Sequence, residues 1–506
     1  MKKVIVTMVL SGLTLSIYVF SLNQFLFTKS LMLATWGIVY MSLSIISILI
    51  WLGIFIYSDS KNKLPWLFII AILPIIGVLL YLMFGNNFRE SLRYKKRLKE
   101  LGEGYVVPMS SYNQESIRTD MSQLAKNLGD LNQMTCHNEV SFKSKTHILS
   151  NGDQKFPILL NAIKQAEHFI FMEYYIFNSD QIGTEVINAL MERASIGVEV
   201  YLLYDALGSS KKLKSTVIAE MKAAGIRVAA FDPVKIPILS SKVNHRNHRK
   251  IFVVDGKTAI TGGINIGDEY LHRSHKYGFW RDTSILVEGE IVRDFSLLFA
   301  GDWFFATGEK LKKGKYYMSI PVHEDGGVQV IDSGPQSAIA NIKESLFRMI
   351  MGAQDSIYII TPYLIPDMDI ISALRNAALS GIDVRIIVPG KADRKIVYWA
   401  TQSYFETLLK VGVRIYVYDH VFCHAKVIVV DENIASVGTT NMDIRSFYLN
   451  FEVNVMLYQA KAIEALLNDF NIDFSRGTEI IYEQWRQRPL KHRFVQSLAQ
   501  LFSPIM

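Results

Sequence analysis

Two stretches of this sequence share a pattern of histidine, lysine, aspartate and asparagine. Residues 248–265 read HRKIFVVDGKTAITGGIN and residues 424–441 read HAKVIVVDENIASVGTTN, with eight of eighteen positions identical. In each copy the histidine, His248 or His424, comes two residues before a lysine at the start of a β-branched run. If that run is a strand, both side chains leave the same face. This recurrence predicts one composite site that contains two histidines.

These residue types are suited to phosphoryl chemistry. A histidine can attack phosphorus or carry a proton near neutral pH. Lys250 and Lys426 supply cations for the non-bridging oxygens of a phosphate, and Asn265 and Asn441 supply amide donors to the same oxygens. With two histidines in one site, one forms a phosphohistidine while the other protonates the departing oxygen and then takes a proton from an incoming alcohol. This scheme predicts ping-pong kinetics.

The aspartate of each copy is not expected to take part in this proton transfer. Asp255 and Asp431 follow the lysine by five residues, where the strand meets a turn, so we expect them to be structural. A metal centre is disfavoured, because a lysine beside the ligand is unhelpful and His245, three residues before His248, has no histidine counterpart near His424. The sequence therefore predicts a site without a metal or a cofactor.

Strands and helices alternate before both copies, which indicates an α/β fold. The segments GVEVYLLYD (197–205) and GIDVRIIVP (381–389) align at an offset of 184, so the repeat extends beyond the motifs. An internal duplication of about 160 to 180 residues predicts two tandem α/β domains with largely parallel sheets that are covered on both faces. The predicted strands lie at 168–177, 198–205, 226–231, 356–363, 384–388 and 413–418, and the predicted helices at 183–194, 217–224, 370–379 and 404–411.

The first 84 residues are strongly apolar. Runs at 4–22, 31–57 and 64–84 each contain about the 20 residues that cross a bilayer. The last two predict transmembrane helices. The first resembles a signal peptide as well, although we favour an uncleaved helix, so the count of two or three spans stays open.

Charge and composition indicate the compartment and an anionic partner. Six Arg and Lys residues at 89–99, against two lysines in the loop before the last span, place the large domains in the cytoplasm of a multi-pass membrane protein. The only cysteines, Cys136 and Cys423, fit a reducing compartment. The net charge of +7 fits an anionic membrane better than a nucleic acid, because of the apolar spans.

Composition shifts along the chain predict five segments. The last of them has a basic stretch followed by Phe494, Leu498, Leu501 and Phe502 at helical spacing, which suits either docking on a membrane or packing on the preceding domain. The segments are a transmembrane part (1–84), a basic juxtamembrane connector (85–145) with a helix near 89–101, a first α/β domain (146–325, motif 243–270), a second α/β domain (326–480, motif 419–446) and a basic amphipathic tail (481–506).

The repeated HxKxxxxD pattern with a following GGxN or GTxN resembles the HKD signature of the phospholipase D superfamily. The resemblance covers almost the entire chain, because GGINIGDEY (262–270), TPYLIPD (361–367) and GTTNMDIRSFYLNFEVN (438–454) look like the bacterial cardiolipin synthases. The apolar segment 64–85 is similar to the membrane segment of that family. One departure is Gln336, where the family usually carries aspartate, and it affects only a local contact.

The resemblance implies two tandem phospholipase D-like α/β domains and a definite reaction. A phosphatidyl group passes from one phosphatidylglycerol to another, which gives cardiolipin and glycerol. One motif histidine is the nucleophile, for which we choose His248, and the other is the general acid and base. In the superfamily a downstream acid holds the motif histidine; Glu452, 28 residues after His424, fits that role, and Asp282, 34 residues after His248, is its looser counterpart.

The motifs do not by themselves choose between water and an alcohol as the acceptor. A membrane-bound phospholipase D that hydrolyses phospholipid to phosphatidic acid would use the same residues. The full-length resemblance and the apolar spans favour transfer to a second lipid, so we expect a phosphatidyltransferase. A nuclease of the same superfamily would also explain the basic charge, but the apolar spans oppose it.

Overall fold

The computed structural model forms two compact units, Met1–Glu90 with Val234–Asn244 and Ser91–Pro233 with His245–Met506. The smaller unit is described at a few positions only, and the larger unit carries both motifs. The described residues are 42, 45, 49, 66, 67, 69, 70, 77, 81, 88–101, 121–233, 244–311, 314–317, 322, 326–337, 339–391, 393–419, 421–501 and 503.

The predicted transmembrane runs at 4–22, 31–57 and 64–84 lie almost entirely outside the described residues. Among the residues that are described, we find no helix with the length and apolar character needed to cross a bilayer. The number of spans therefore stays a prediction.

The first half of the larger unit is built on one sheet flanked by helices. Asp180 begins one of these helices, because its side chain accepts a hydrogen bond from the Gly183 N–H at 3.2 Å. The described strands are β1 (Ser144–Ser150), β2 (Phe169–Tyr174), β3 (Glu199–Asp205), β4 (Arg227–Phe231), β5 (Lys250–Val254), β6 (Thr258–Gly262), β7 (Trp280–Arg281) and β8 (Thr283–Gly289), and the helices are α1 (Phe88–Leu101), α2 (Gln123–Cys136), α3 (Asn151–Lys164), α4 (Gln181–Ser195), α5 (Ser215–Ala223) and α6 (Val292–Thr307).

The second half repeats this arrangement. Asp367 caps a helix as Asp180 does, accepting from the Ile370 N–H at 3.1 Å. The described strands are β9 (Gly327–Ser333), β10 (Ser356–Ile360), β11 (Leu364–Ile365), β12 (Asp383–Pro389), β13 (Arg414–Tyr418), β14 (Phe422–Cys423), β15 (Val427–Val430), β16 (Ile434–Gly438), β17 (Met442–Asp443), β18 (Glu452–Tyr458) and β19 (Thr478–Glu479), and the helices are α7 (Asn341–Gly352), α8 (Met368–Leu379), α9 (Lys395–Ser403), α10 (Phe405–Leu409), α11 (Ile444–Tyr448), α12 (Ala462–Arg476), α13 (Tyr482–Arg486) and α14 (Leu490–Gln500).

The two main sheets have the same strand order, which confirms the predicted duplication. The first is β1-β8-β6-β5-β2-β3-β4, and the second is β9-β18-β16-β15-β10-β12-β13 with β19 added at its edge. Within these two sheets, only β2-β3-β4 and β10-β12-β13 are parallel, and all other neighbours are antiparallel. The short pairs β11-β17 and β7-β14 outside them are parallel. The prediction of largely parallel sheets is therefore wrong for the described strands. A tight hairpin at Asp255 and Gly256, both with positive φ, joins the motif strand to β6 and forces antiparallel pairing there.

The sheets pack face to face around a shared core. Phe171 and Val253 of the first sheet belong to the same buried cluster as Val429 and Val455 of the second. Alternate residues of β2, such as Met172, face the other way into a cluster with the surrounding helices. Since side chains alternate along a strand, each sheet is covered on both faces, as predicted.

The connector contains one expected helix and one that the sequence did not suggest. The helix predicted at 89–101 is present as α1. The unpredicted α2 begins at Ser122, whose side chain accepts a hydrogen bond from the Ala125 N–H, and it buries Leu128. Its polar Asn132 is buried as well, where it donates to Gln329 in β9. A buried polar residue obscures the helical pattern of a short sequence.

Candidate active site

Each motif histidine lies beside the backbone of the opposite half. The His248 N–H donates to the Phe451 carbonyl at 3.0 Å, and the His424 N–H donates to the Arg281 carbonyl at 2.7 Å. The residue after each of these carbonyls is an acid. Strand pairing between the halves therefore brings an acid from one half to the histidine of the other.

These acids hold the imidazoles across the two halves. Nδ1 of His248 lies 3.0 Å from both carboxylate oxygens of Glu452, and Nδ1 of His424 lies 2.8 Å from Oδ2 of Asp282. The resemblance in sequence implies the opposite pairing, Glu452 with His424 and Asp282 with His248, and that pairing is wrong. Within the described part of the chain, Nε2 of either ring makes no hydrogen bond. Nε2 is therefore the atom that can meet a substrate.

Neighbouring side chains fix the two acids. Thr439 Oγ1 donates to Glu452 at 2.5 Å, and the Asn450 amide donates to the same carboxylate at 3.1 Å. The Trp280 indole donates to Asp282 at 3.2 Å, and its ring centroid lies 5.2 Å from that of His424. The spacing of residues does not mark these supports, although Thr439 and Asn450 lie within the segment 438–454 that resembles the family.

Burial sets the charge of the imidazoles. It lowers the pKa of both His248 and His424 to about 4, although Glu452 and Asp282 act to raise the two values. Burial alone would raise the pKa of each acid, but the adjacent histidine and lysine hold it below its usual value. Each ring is therefore neutral at neutral pH. The anionic acceptor at Nδ1 places the ring proton there and leaves the Nε2 lone pair for attack.

The two lysines complete one shared charge cluster. Lys250 Nζ donates to the His248 carbonyl at 2.6 Å, and Lys426 Nζ donates to the His424 carbonyl. Burial lowers the pKa of Lys250 to about 7 and that of Lys426 to about 8. The charge of Lys426 acts on His248, and that of Lys250 acts on His424. A phosphodiester anion between them would favour the protonated ammonium form of both.

The asparagines differ in their surroundings. The Asn265 side chain accepts from the Ile176 N–H at 3.1 Å and donates to the Tyr270 hydroxyl at 2.8 Å, so it joins the connection after β2 to the connection after β6. Asn441 is buried, and its side-chain oxygen has no hydrogen-bond partner among the described residues. The Asn441 side chain nevertheless hydrogen-bonds the Asp443 carboxylate, which acts to lower the pKa of Asp443.

The aspartates lie at the opposite end of the motif strand from the lysine. The Asp255 carboxylate accepts three backbone N–H groups, from residues 167, 168 and 169, each at 2.8 Å. Asp431 accepts from residues 354, 355 and 356 at 2.8 to 3.1 Å. Each carboxylate ties the motif hairpin to the start of the neighbouring strand.

Residues 159–303 and 346–474 match the family described as "Cardiolipin synthase, PLD-like domain". These two segments contain both histidines, both lysines and both acids. The chain belongs to this family. A further match, to "Phospholipase_D-nuclease N-terminal", covers residues 42–86.

Relatives within the cardiolipin synthase family are similar over most of their length. Cardiolipin synthase of Geobacillus kaustophilus is 44% identical over 88% of this chain and 89% of its own. Cardiolipin synthase 2 of Bacillus cereus is 43% identical over 90% and 89%, and cardiolipin synthase of Halalkalibacterium halodurans is 42% identical over 93% and 95%. The crystal structure of phosphatidylserine synthase from Haemophilus influenzae shares the fold, with a TM-score of 0.56 at 14% identity over 76% of this chain and 100% of that one.

In this member of the cardiolipin synthase family a buried arginine also joins the halves. Arg249 stands within the first motif, where the second motif has Ala425. Its guanidinium pairs with Asp302, pairs with Asp332 at 2.8 Å and donates to the Glu452 carbonyl at 3.1 Å. This role of Arg249 is not predictable from sequence, because its partners lie far away along the chain.

A glycine makes room for one of the two acids. A Cβ atom at Gly263 would lie 1.9 Å from Oδ1 of Asp282. Thr439 is the corresponding residue of the second half. The Gly263 N–H donates to the carbonyl of the residue after Asp282, and the Thr439 N–H donates to the carbonyl of the residue after Glu452. The two halves thus accommodate their acids differently. In the first half the missing side chain of Gly263 leaves room for Asp282, and in the second half the Thr439 hydroxyl donates to Glu452.

We predict that Gly263→Ala lowers turnover by about 10²-fold or more, because the displaced Asp282 no longer orients His424. Steady-state turnover and the melting temperature, measured together, separate this effect from unfolding. Gly301→Ala is the matched control, since a Cβ at that position in α6 meets no atom within 4 Å. Full turnover in Gly263→Ala would contradict the assigned contact.

Proposed function

We infer that the protein is a cardiolipin synthase, a phosphatidyltransferase that converts two molecules of phosphatidylglycerol to cardiolipin and glycerol. One observation carries this inference: two neutral imidazoles in one site, each bonded at Nδ1 to a buried acid and accompanied by a lysine. The relatives named cardiolipin synthase, at 42–44% identity, support the choice of substrate.

In the first half-reaction, Nε2 of His248 attacks the phosphorus of the donor lipid. The N–P bond forms while the bond from phosphorus to the glycerol oxygen breaks. The bound phosphodiester and Asp282 favour the imidazolium form of His424 in the complex, so that its Nε2 gives a proton to the departing oxygen. Free glycerol leaves, and a phosphatidyl-histidine remains.

In the second half-reaction, the terminal hydroxyl of another phosphatidylglycerol is the acceptor. His424, now neutral, removes the hydroxyl proton as the oxygen bonds to phosphorus. The N–P bond breaks and regenerates His248. Cardiolipin is the product, and no metal or cofactor takes part in either step.

The remaining predicted residues bind phosphate or support the fold. Lys250 and Lys426 stabilise the charge that develops on the non-bridging oxygens. Asn441 and Asn265 each donate the second hydrogen of the side-chain amide to the same oxygens. Asp255 and Asp431 support the fold, because their carboxylates accept backbone N–H groups and hold the motif hairpins in place.

The same proposal places the protein in the cell membrane, with several spans and with both α/β domains on the cytoplasmic side. The apolar runs before residue 85 and the match of residues 42–86 to an N-terminal family segment support this placement. The basic residues at 89–99 support the orientation. A membrane position also brings both lipid substrates to one surface.

We expect purified protein in micelles with phosphatidylglycerol as the sole phospholipid to form cardiolipin and free glycerol in equal amounts. Lipid chromatography and an enzymatic glycerol assay measure the two products. Phosphatidylcholine is the matched control, because it has no free hydroxyl to accept the phosphatidyl group. Phosphatidic acid as the only lipid product would overturn the transferase and indicate a hydrolytic phospholipase D.

A further inference from the structure

The last described helix, α14, has one packed face and one exposed face. On the packed face Gln496 and Ala499 are buried. The Gln496 amide donates to Gln402 of α9 at 3.1 Å, and the His492 ring lies 5.3 Å from that of Trp399 in the same helix. These contacts attach α14 to the second domain and fix which side of it faces outward.

The outward side is an apolar stripe. Leu490, Phe494, Leu498 and Leu501 are 79%, 69%, 47% and 75% exposed. Their spacing of four, four and three residues places them in one row along the helix, opposite the packed face. Single exposed apolar residues are common on protein surfaces, but a contiguous row of four indicates a binding surface.

Basic residues border this stripe. At about 100° per residue, Lys491 lies along one side of the row and Arg493 along the other. Both are exposed. Residues 486–501 contain four Arg or Lys residues and no Asp or Glu. Two of the four lie near Glu406 of α10, Arg488 at 2.8 Å and the more exposed Arg493 at 3.7 Å. A leucine- and phenylalanine-rich row between cations complements a surface that is apolar within and anionic at its edge.

The stripe is also connected to the active site through α9. Arg394 immediately precedes α9, and its charge acts on the Tyr175 phenol. The Tyr175 ring centroid lies 5.0 Å from that of His248. One short helix therefore runs from the border of the active site to the face that carries α14.

We propose that the stripe of α14 docks on an anionic lipid bilayer, with its four apolar side chains among the acyl chains and with Lys491 and Arg493 at the headgroups. Docking holds the second domain against the surface from which the site takes its lipids. This contact with the membrane surface is separate from the proposed phosphatidyl transfer and does not depend on it.

An environment-sensitive dye on Leu498→Cys in the full-length protein tests the proposal. Both native thiols are protonated and poorly reactive, because burial raises the pKa of Cys136 to about 12 and raises that of Cys423 as well. The protein is reconstituted into vesicles of phosphatidylcholine alone or of phosphatidylcholine with phosphatidylserine. Phosphatidylserine is anionic but is not a proposed substrate, and the dye needs no turnover, so failure of docking and failure of the reaction are distinguishable.

We expect the dye emission to shift to shorter wavelength, and lipid-borne quenchers to reach it, in the phosphatidylserine vesicles. Ile196→Cys is the matched control. Ile196 is an exposed apolar residue of the first domain, just before the start of β3 and outside the stripe of α14. The control dye should not respond. Adding Lys491→Glu should weaken the response of the Leu498 dye, and this change leaves the ion pair of Arg493 with Glu406 intact.

Two results would overturn the proposal. One is a Leu498 dye that reports water in both kinds of vesicle. The other is a shift that rises with protein concentration and needs no lipid, which would mean that a second protein chain covers the stripe.

Discussion

Replacement of His248 or His424 by alanine is expected to lower cardiolipin formation by a factor of about 10⁴ or more, because each ring takes part in both half-reactions. Lipid chromatography after incubation with phosphatidylglycerol measures the loss. His147→Ala, an exposed change in β1, is the matched control and should retain full activity. Substantial turnover in either active-site variant would contradict a shared site with two histidines.

An activated donor lipid separates the roles of the two histidines. Nitrophenolate departs without a proton, so a phosphatidyl ester of nitrophenol needs the nucleophile but not the general acid. With His248 as the nucleophile, His424→Ala gives a stoichiometric burst of nitrophenolate and retains a phosphatidyl-histidine, whereas His248→Ala gives neither. The reverse result would exchange the two assignments.

The second large effect concerns the acids. Glu452→Gln and Asp282→Asn are each expected to lower turnover by about 10²- to 10⁴-fold, because an amide holds the ring less well and does not stabilise an imidazolium. Glu452 raises the pKa of His248, and Asp282 raises that of His424. Loss of either charge lowers the pKa of its own histidine further, so the protonated ring becomes harder to form during the reaction.

The same burst assay tests which acid serves which histidine. Pairing across the halves predicts that Glu452→Gln slows the burst, because the nucleophile His248 loses its support. Asp282→Asn keeps the burst and slows only the later transfer. Asp473→Asn is a control for loss of a buried carboxylate beside the site, because Asp473 pairs with Arg281 and not with a histidine. A slowed burst in Asp282→Asn with a normal burst in Glu452→Gln would support pairing within each half instead.

Several features were predictable from sequence because they depend on local order. The two motifs, the alternation of strands and helices, and the helix at 89–101 follow from residue types and spacing over a few turns or strands. The antiparallel pairing of β5 with β6 and of β15 with β16 was not predictable in this way. Two consecutive apolar strands have the same sequence pattern whether they pair in parallel or antiparallel. The helix α2 was missed because Asn132, a polar residue, occupies part of its buried face.

The sequence alone determined the type of chemistry. His248, Lys250, His424 and Lys426 indicate phosphoryl transfer, because the same residue types recur at the same spacing in both motifs. The tertiary structure decided which acid serves which histidine. Each histidine lies 204 or 142 positions from its acid along the chain. The contact exists only because the residues just before each motif strand pair with the segment before the acid of the other half. Spacing within one motif carries no information about a contact that depends on how two duplicated sheets meet.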